Sequence, residues 1–260
     1  MTRIEKLKYA RAVLLTQDRI ALRYQKLIKR ELKKTANQLA NSYEINQNDS
    51  QFAEIQAQHK TRMTEILTDL GKEASERFKA FKLTGKKDIF DNFVENSIYS
   101  ILASNVLTTA TTVSANTVAT ASAVIMQTMQ ASIADPYAAT PTKVANAIAN
   151  RIGGQNSVSR AMTIARTETH KAANVSQYTR AESAATDSGL DVVVEWISTN
   201  DGKRVRDAHR AANGQTRPMG QPFNVGGESM KHPSDPTASA ANTINCRCVL
   251  GYDVKNIEGL

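Results

Sequence analysis

The stretch S-V-S-R-A-M-T-I-A-R-T-E-T-H-K-A-A-N-V-S-Q-Y-T-R-A-E-S-A-A-T, residues 157–186, decides how the C-terminal part of the chain folds. Small and apolar residues recur in it at spacings of three and four, which is typical of a helix packed on one face. Ser157 or Ser159 can begin this helix, and Gly189 can end it. The next segment, Val192–Ile197, is β-branched and aromatic, so it predicts a strand. A long helix followed by short strands indicates a small α+β domain.

One carboxylate interrupts the inward face of this helix. Glu168 falls where the periodicity asks for an apolar residue, and burial of an unpaired charge is costly. A cation, backbone donors or a bound metal must therefore compensate it, and Arg247 or Arg206 can serve. A buried ion pair is the favoured interpretation, with a ligand-binding or catalytic carboxylate and a shifted helix phase as alternatives. Arg166 and His170, spaced i and i+4 on a different face, predict a surface pair.

The part of the chain before this helix predicts long helices separated by short breaks. The predicted helices are Thr2–Asn41, Gln51–Phe81, a third from about Asp88, and one from Thr140–Pro141 to about Arg151; the predicted breaks are Asn46–Ser50, a turn at Leu83–Lys87, and Asp135–Pro136. The fold class is therefore mainly α with a small α+β C-terminal domain and an elongated N-terminal helical region. The pair Gly153–Gly154 predicts a domain boundary, with domains 1–152 and 153–260.

The first helix carries a charge equal to that of the whole chain. The protein has a formal net charge of +8 and a pI of about 9.5. Residues 1–34 hold eleven Lys or Arg against three acidic residues. The pattern fits either a solvated helix face or an arm that contacts phosphates or a portal. The residues assigned to nucleic-acid binding are Lys26, Lys29, Arg30, Lys33 and Lys34.

The two cysteines, Cys246 and Cys248, are too few for a secreted disulfide scaffold. On the predicted final strand, Thr243–Tyr252, both thiols would face the same way. The uncharged segment Ile101–Ala134 is interrupted throughout by Thr, Ser, Asn and Gln, so we do not expect it to span a membrane. Its small residues suit close helix packing or an oligomer-facing surface. Phosphate-binding loops and the common hydrolase motifs are absent from the sequence, and no catalytic residue is assigned.

Five short motifs occur in a fixed order along the last hundred residues. They are R-A-M-T-I-A-R-T-E at Arg160–Glu168, W-I-S-T-N-D at Trp196–Asp201, R-D-A-H at Arg206–His209, H-P-S-D-P at His232–Pro236 and N-C-R-C at Asn245–Cys248. In this order they resemble the C-terminal domain of the phage Mu-type head morphogenesis (minor head protein) family, over roughly Ser157–Asp253.

The resemblance implies a low-copy virion component, assembled in the host cytoplasm and held inside the capsid near the portal. Portal and major capsid proteins are its implied partners, in head assembly or genome delivery. The basic first helix adds double-stranded DNA to these partners. An injected metal-assisted hydrolase or toxin-like effector is the alternative, and a structural adaptor without DNA contact is a second one.

The chain departs from the family where many members have what looks like a zinc site. Those members place Cys-x-x-Cys after the Trp…Asp element, but here Arg206 and His209 stand at those positions. His209, Cys246 and Cys248 can supply three ligands, with Asp201 or His232 as a fourth. A metal-free site without cofactor is favoured, in which Arg206 and His209 hydrogen-bond to the loop that the metal would organise. The assigned structural cluster is Glu168, Trp196, Asp201, Arg206, His209 and Arg247.

Overall fold

A computed structural model describes residues 3–78, 90–131, 139–199 and 205–255. The helices are α1 (Arg3–Asn46), α2 (Phe52–Arg77), α3 (Phe90–Ala131), α4 (Pro141–Gly153), α5 (Asn156–Ser188), α6 (Asp207–Ala212) and α7 (Ala240–Thr243). The strands are β1 (Val192–Ile197), β2 (Thr216–Pro218), β3 (Phe223–Val225), β4 (Glu228–Met230) and β5 (Val249–Val254). The predicted mainly α fold with a small C-terminal α+β region is confirmed. The turn predicted at Leu83–Lys87 and the break at Asp135–Pro136 lie outside the described residues.

Two predicted helix ends rest on identifiable local chemistry. Thr140 lies at the N-cap of α4, where its side chain accepts a hydrogen bond from Lys143 N and Pro141 opens the first turn. Gly189 follows α5 with a φ of 62°, a left-handed conformation that glycine adopts without steric cost. Both ends were predicted from the sequence at these residues. Of the described helices, none is long and apolar enough to cross a membrane.

The chain divides into two compact units, each built from separate segments. One unit comprises Met1–Ala21, Leu70–Ser104 and Arg166–Leu260; the other comprises Leu22–Asp69 and Asn105–Ala165. In the second unit, buried apolar residues of α1, α2, α3 and α4 form one core. A Cβ on Gly153 would lie 3.2 Å from Ala36 Cβ, so this glycine permits α4 to approach α1 closely. The domain boundary at Gly153–Gly154 stays a prediction.

The first unit contains the small sheets. Strand β1 is the centre of a three-stranded antiparallel sheet in the order β2-β1-β5, and Val194 lies opposite Arg217 on one side and Tyr252 on the other. Strands β3 and β4 form a separate hairpin in which Phe223 pairs with Met230. Trp196 and Phe223 are the largest buried side chains of the core between these elements. The ring centroids of this pair are 5.5 Å apart in an edge-to-face arrangement.

The final strand begins later than the sequence pattern predicts. It starts at Val249 instead of Thr243, because Ala240–Thr243 forms the one-turn helix α7 and Asn245 follows in a left-handed conformation with φ 57°. The Glu228 carboxylate accepts hydrogen bonds from both the backbone N–H and the hydroxyl of Ser239, which precedes α7. Cys246 and Cys248 therefore lie in the loop before β5, and their placement on the strand was wrong.

Candidate metal centre

Helix α6 brings His209 into the core of the first unit. The side chain is 2% exposed, and the indole of Trp196 meets the imidazole edge-on with ring centroids 5.8 Å apart. The helix begins after Arg206, which is its N-cap residue. Asp201 itself lies outside the described residues. The prediction that Trp196 and His209 share a cluster is consistent with this contact.

Helix α5 holds the cysteine loop. The Thr167 hydroxyl accepts a hydrogen bond from Asn245 N at 2.9 Å, and Arg166 Nη1 donates to Asn245 Oδ1 at 3.2 Å. Further along the helix, Asn174 Nδ2 donates to the Cys248 carbonyl at 3.5 Å. The R-T-E and N-C-R-C motifs are thus in direct contact, and the first positions the second.

Three donor atoms converge inside this loop. His209 Nδ1 lies 3.4 Å from Cys248 Sγ and 3.6 Å from Cys246 Sγ, and the three atoms all lie within 4.8 Å of one another. All three residues are buried, and neither cysteine forms a disulfide. The sequence-based grouping of His209, Cys246 and Cys248 is therefore reproduced in space, although the thiols reach it from a loop.

The two thiols have opposite acid–base tendencies. Hydrogen bonding with Cys248, and secondarily with His209, holds the pKa of the Cys246 thiol well below its usual value, despite burial. The hydrogen bond to Cys246, together with burial, raises the pKa of the Cys248 thiol well above its usual value. Two buried thiolates this close would repel each other, so both cysteines cannot be ionised at low cost without a cation between them. A divalent cation between them would remove that restriction, since metal binding needs thiolates.

The spacing of the donors fits zinc. With Zn–N near ~2.05 Å and Zn–S near ~2.3 Å, tetrahedral angles place nitrogen and sulfur ligands about 3.5 Å apart. The observed separations of 3.4 and 3.6 Å are close to this value, although S–H···N hydrogen bonds also span such distances. A set of two thiols and one imidazole is also the donor chemistry that zinc prefers. The residues present thus fit the metal that the resemblance implies.

Of the remaining residues assigned to the cluster, Arg206 contacts the cysteine loop, whereas Glu168 and Arg247 form ion pairs. Arg206 Nη2 donates to the Ile244 carbonyl, as predicted for an arginine that secures the cysteine loop. Glu168 is 5% exposed and pairs with Lys171 at 2.8 Å, at the i,i+3 spacing of neighbours on one helix face. Arg247 points to α1, where its Nη2 lies 2.9 Å from Asp18 Oδ2.

His232 lies apart from the three donors. Its ring packs against Tyr178 with centroids 5.3 Å apart, and its Nδ1 lies 3.0 Å from the Pro233 carbonyl oxygen. Among the described residues, the group that could hold a metal consists of His209, Cys246 and Cys248, and His232 is not part of it. His232 therefore does not supply the fourth ligand in this arrangement.

The predicted surface pair Arg166–His170 was wrong. His170 is fully buried, and burial lowers its pKa to about 4. Arg166 reaches Asp18 Oδ1 at 3.4 Å, so Asp18 serves both Arg166 and Arg247. Sequence reasoning counted Asp18 only as one of few acids in a basic segment. No pattern in the sequence indicated that Asp18 meets partners from a distant part of the chain.

The comparisons with known proteins agree with these motifs. A family model described as Phage Mu protein F like protein matches residues 123–251. The match covers α4, α5, strands β1 to β4, the start of β5 and the three-donor cluster, together with the last residues of α3. Searches of curated proteins and of solved structures gave no match. The segment 123–251 of this chain is therefore similar to the phage Mu protein F-like family.

Proposed function

We propose that this protein is a minor head protein of a bacteriophage, located in the capsid interior beside the portal, and that its first helix contacts packaged DNA. The phage Mu protein F-like family suggests a phage head or minor capsid protein, which supports the virion assignment. The location beside the portal and the contact with DNA are more specific than the family by itself suggests. The charge distribution on α1 supports the DNA contact.

The second unit carries a uniform basic face on α1. The residues Arg23, Lys26, Lys29, Arg30, Lys33 and Lys34 are all exposed. At about 100° per residue they fall within an arc of about 140° on the helix. The acid among them, Glu31, is 7% exposed and turned inward, where Arg62 Nε lies 2.5 Å from its carboxylate. The outward face of residues 23–34 is therefore cationic without interruption.

Five of these cations have no ionic partner within the part of the chain that the structure describes. They are Lys26, Lys29, Arg30, Lys33 and Lys34, the residues assigned to nucleic-acid binding from the sequence. They occupy about 12 Å of helix, a length over which a DNA duplex carries on the order of seven phosphate charges. Phosphates can therefore pair with these side chains without first breaking protein ion pairs. This is the observation that carries the DNA proposal.

Salt-dependent binding of the whole protein to duplex DNA tests this proposal. Affinity should fall steeply with salt, and the combined substitutions K26Q, K29Q, R30Q, K33Q and K34Q should flatten the logarithmic slope by about 0.9 for each phosphate that the variant no longer neutralises. A matched control changes five exposed cations elsewhere: K72Q, K143Q, R151Q, R210Q and K255Q. An equal flattening of the salt dependence in both variants would show that only the net charge matters, and it would support the adaptor alternative.

Cryo-electron microscopy of the virion tests the location. We expect density for this chain inside the capsid next to the portal vertex, at low copy number. Density on the outer surface, or distributed over all capsid positions, would contradict the proposal.

We also propose that His209, Cys246 and Cys248 bind one zinc ion with a structural role. The convergence of three lone-pair donors within 4.8 Å supports this over the metal-free arrangement favoured by the sequence. Bound zinc would cross-link α6 to the cysteine loop and neutralise both thiolates. Elemental analysis of purified protein should give one zinc per chain. Turnover by the zinc-loaded protein would instead favour the hydrolase alternative, which needs a coordination position open to water.

A further inference from the structure

A buried amide links the β3–β4 hairpin to the imidazole of the candidate metal centre. Asn242, on α7, is 7% exposed. Its Nδ2 donates to the Val225 carbonyl at 3.2 Å, and its Oδ1 lies 3.3 Å from His209 Nε2. No sequence pattern singled out this residue. It contacts the edge of the ring opposite the two thiols.

The hydrogen-bond chain fixes the orientation of this amide. The Val225 carbonyl oxygen can only accept, so the Asn242 atom facing it must be the NH₂ group. The carbonyl oxygen of the amide therefore faces His209. An amide oxygen also only accepts, so His209 Nε2 must carry a hydrogen. In the neutral ring this leaves the lone pair on Nδ1, which is the atom directed at Cys246 and Cys248.

We propose that Asn242 is a positioning residue: it holds His209 in the Nε2–H tautomer and thereby makes Nδ1 the donor that faces the thiols. The effect on metal affinity rests on the zinc site proposed above, whereas the effect on the tautomer does not. Hydrogen bonds to the second nitrogen of a ligating histidine set its tautomer and orientation in many metal sites. Here the partner is a neutral amide, itself anchored by a strand carbonyl.

The backbone next to the amide is closely packed. Gly226, in the hairpin turn, has a φ of 61°, and a Cβ there would lie 3.0 Å from Ala208 Cβ and 3.8 Å from Asn242 Nδ2. The turn therefore fits closely against α6, and the amide lies at ordinary van der Waals distance from it. Hairpin, amide and imidazole are thus in contact in sequence.

Nitrogen-15 NMR of the histidine rings, recorded on the full-length metal-free protein, tests the tautomer. We expect His209 in the wild-type protein to show a protonated Nε2 and a bare Nδ1, and N242L to show a mixture of tautomers. The matched control is N224A, which removes an exposed amide of the same hairpin that accepts from Gly227 N. It should leave His209 unchanged.

Competition between the protein and a chelator for zinc gives the second readout. We expect N242L to weaken zinc binding about 10- to 100-fold, the usual effect of losing such a partner, and N224A to leave it unchanged. A wild-type His209 protonated on Nδ1, or an unaltered tautomer in N242L, would overturn the proposal. If the wild-type protein binds no zinc but N242L alters the tautomer, the zinc site fails while the positioning role of Asn242 stands.

Discussion

Each compact unit buries a histidine in a polar cluster, and the two clusters differ in what faces the ring. In the unit formed by Leu22–Asp69 and Asn105–Ala165, His59 Nδ1 lies 3.2 Å from Glu31 Oε1 and 2.9 Å from Thr35 Oγ1. Arg62 Nε lies 2.5 Å from the same carboxylate oxygen. In the other unit, His209 Nδ1 faces two thiols.

The difference lies in charge balance. Burial acts to raise the pKa of Glu31, but hydrogen bonds from His59 and Arg62 lower it overall, so the cluster already contains an anion and its cation. The cluster around His209 contains three lone-pair donors, and within the described parts of the chain no Lys or Arg pairs with them. One histidine therefore completes a structural ion pair, and the other is suited to bind a metal. Residue type alone does not separate these roles; the neighbours decide them.

Removal of the metal should have the largest effect. If zinc cross-links α6 to the cysteine loop, a strong chelator or the double substitution C246S/C248S should destabilise the protein by more than about 4 kcal/mol, the contribution of a ligand present at ~1,000 times its dissociation constant. Differential scanning calorimetry with and without chelator measures this. An unchanged melting temperature, with a cost of only ~1–3 kcal/mol for the serine variants, would indicate a metal-free cluster of buried polar groups.

Disruption of the Glu31 cluster should have the second-largest effect on the free energy of unfolding. E31L leaves the Arg62 charge partly buried and unpaired, and we expect a loss of about 3 kcal/mol in the free energy of unfolding. The double variant E31L/R62M removes both charges and should recover most of this loss. The exposed pair Asp207–Arg210 provides the control, since D207N should cost at most about 0.5 kcal/mol. Urea denaturation compares these variants. Equal costs for E31L and D207N would show that burial does not matter here.

The stability lost on substitution by alanine should differ between the two glycines of the hairpin turn, by less than the effects above. Gly226 and Gly227 both have positive φ, so alanine at either should cost ~1–2 kcal/mol in backbone strain. An added Cβ at Gly227 meets nothing within 4 Å, whereas one at Gly226 would lie 3.0 Å from the Cβ of Ala208, on the helix that carries His209. G226A should therefore cost more than G227A, and it alone should reduce zinc affinity. Similar values for both variants would mean that the hairpin yields without disturbing His209.

The pH dependence of the Glu31 cluster should be the smallest of these effects. Because the pKa of Glu31 is lowered on folding, its stabilising contribution is complete above the unfolded pKa of about 4.3 and is lost as the pH falls through the lower folded pKa. The stability difference between the wild-type protein and E31Q should thus shrink at acid pH. Urea denaturation at pH 7 and at progressively lower pH measures it. A difference that is constant with pH would contradict the ionised pair.

The sequence alone determined the long helices, the cap at Thr140, the strand Val192–Ile197 and the buried position of Glu168, because each depends on residue spacing, residue type or local backbone chemistry. The motif resemblance also named His209, Cys246 and Cys248 as one group. Periodicity could equally have flagged Glu31, which occupies an inward position of α1 in the same way as Glu168.

Only the tertiary structure decided which partners these residues meet. Asp18 joins Arg166 and Arg247, and Asn242 meets His209, although these residues lie far apart in the chain. The late start of the final strand also arises this way, since Asn245 takes a left-handed turn beside Arg166 and Thr167. Such contacts depend on side chains separated by up to 229 positions, and no local pattern encodes them.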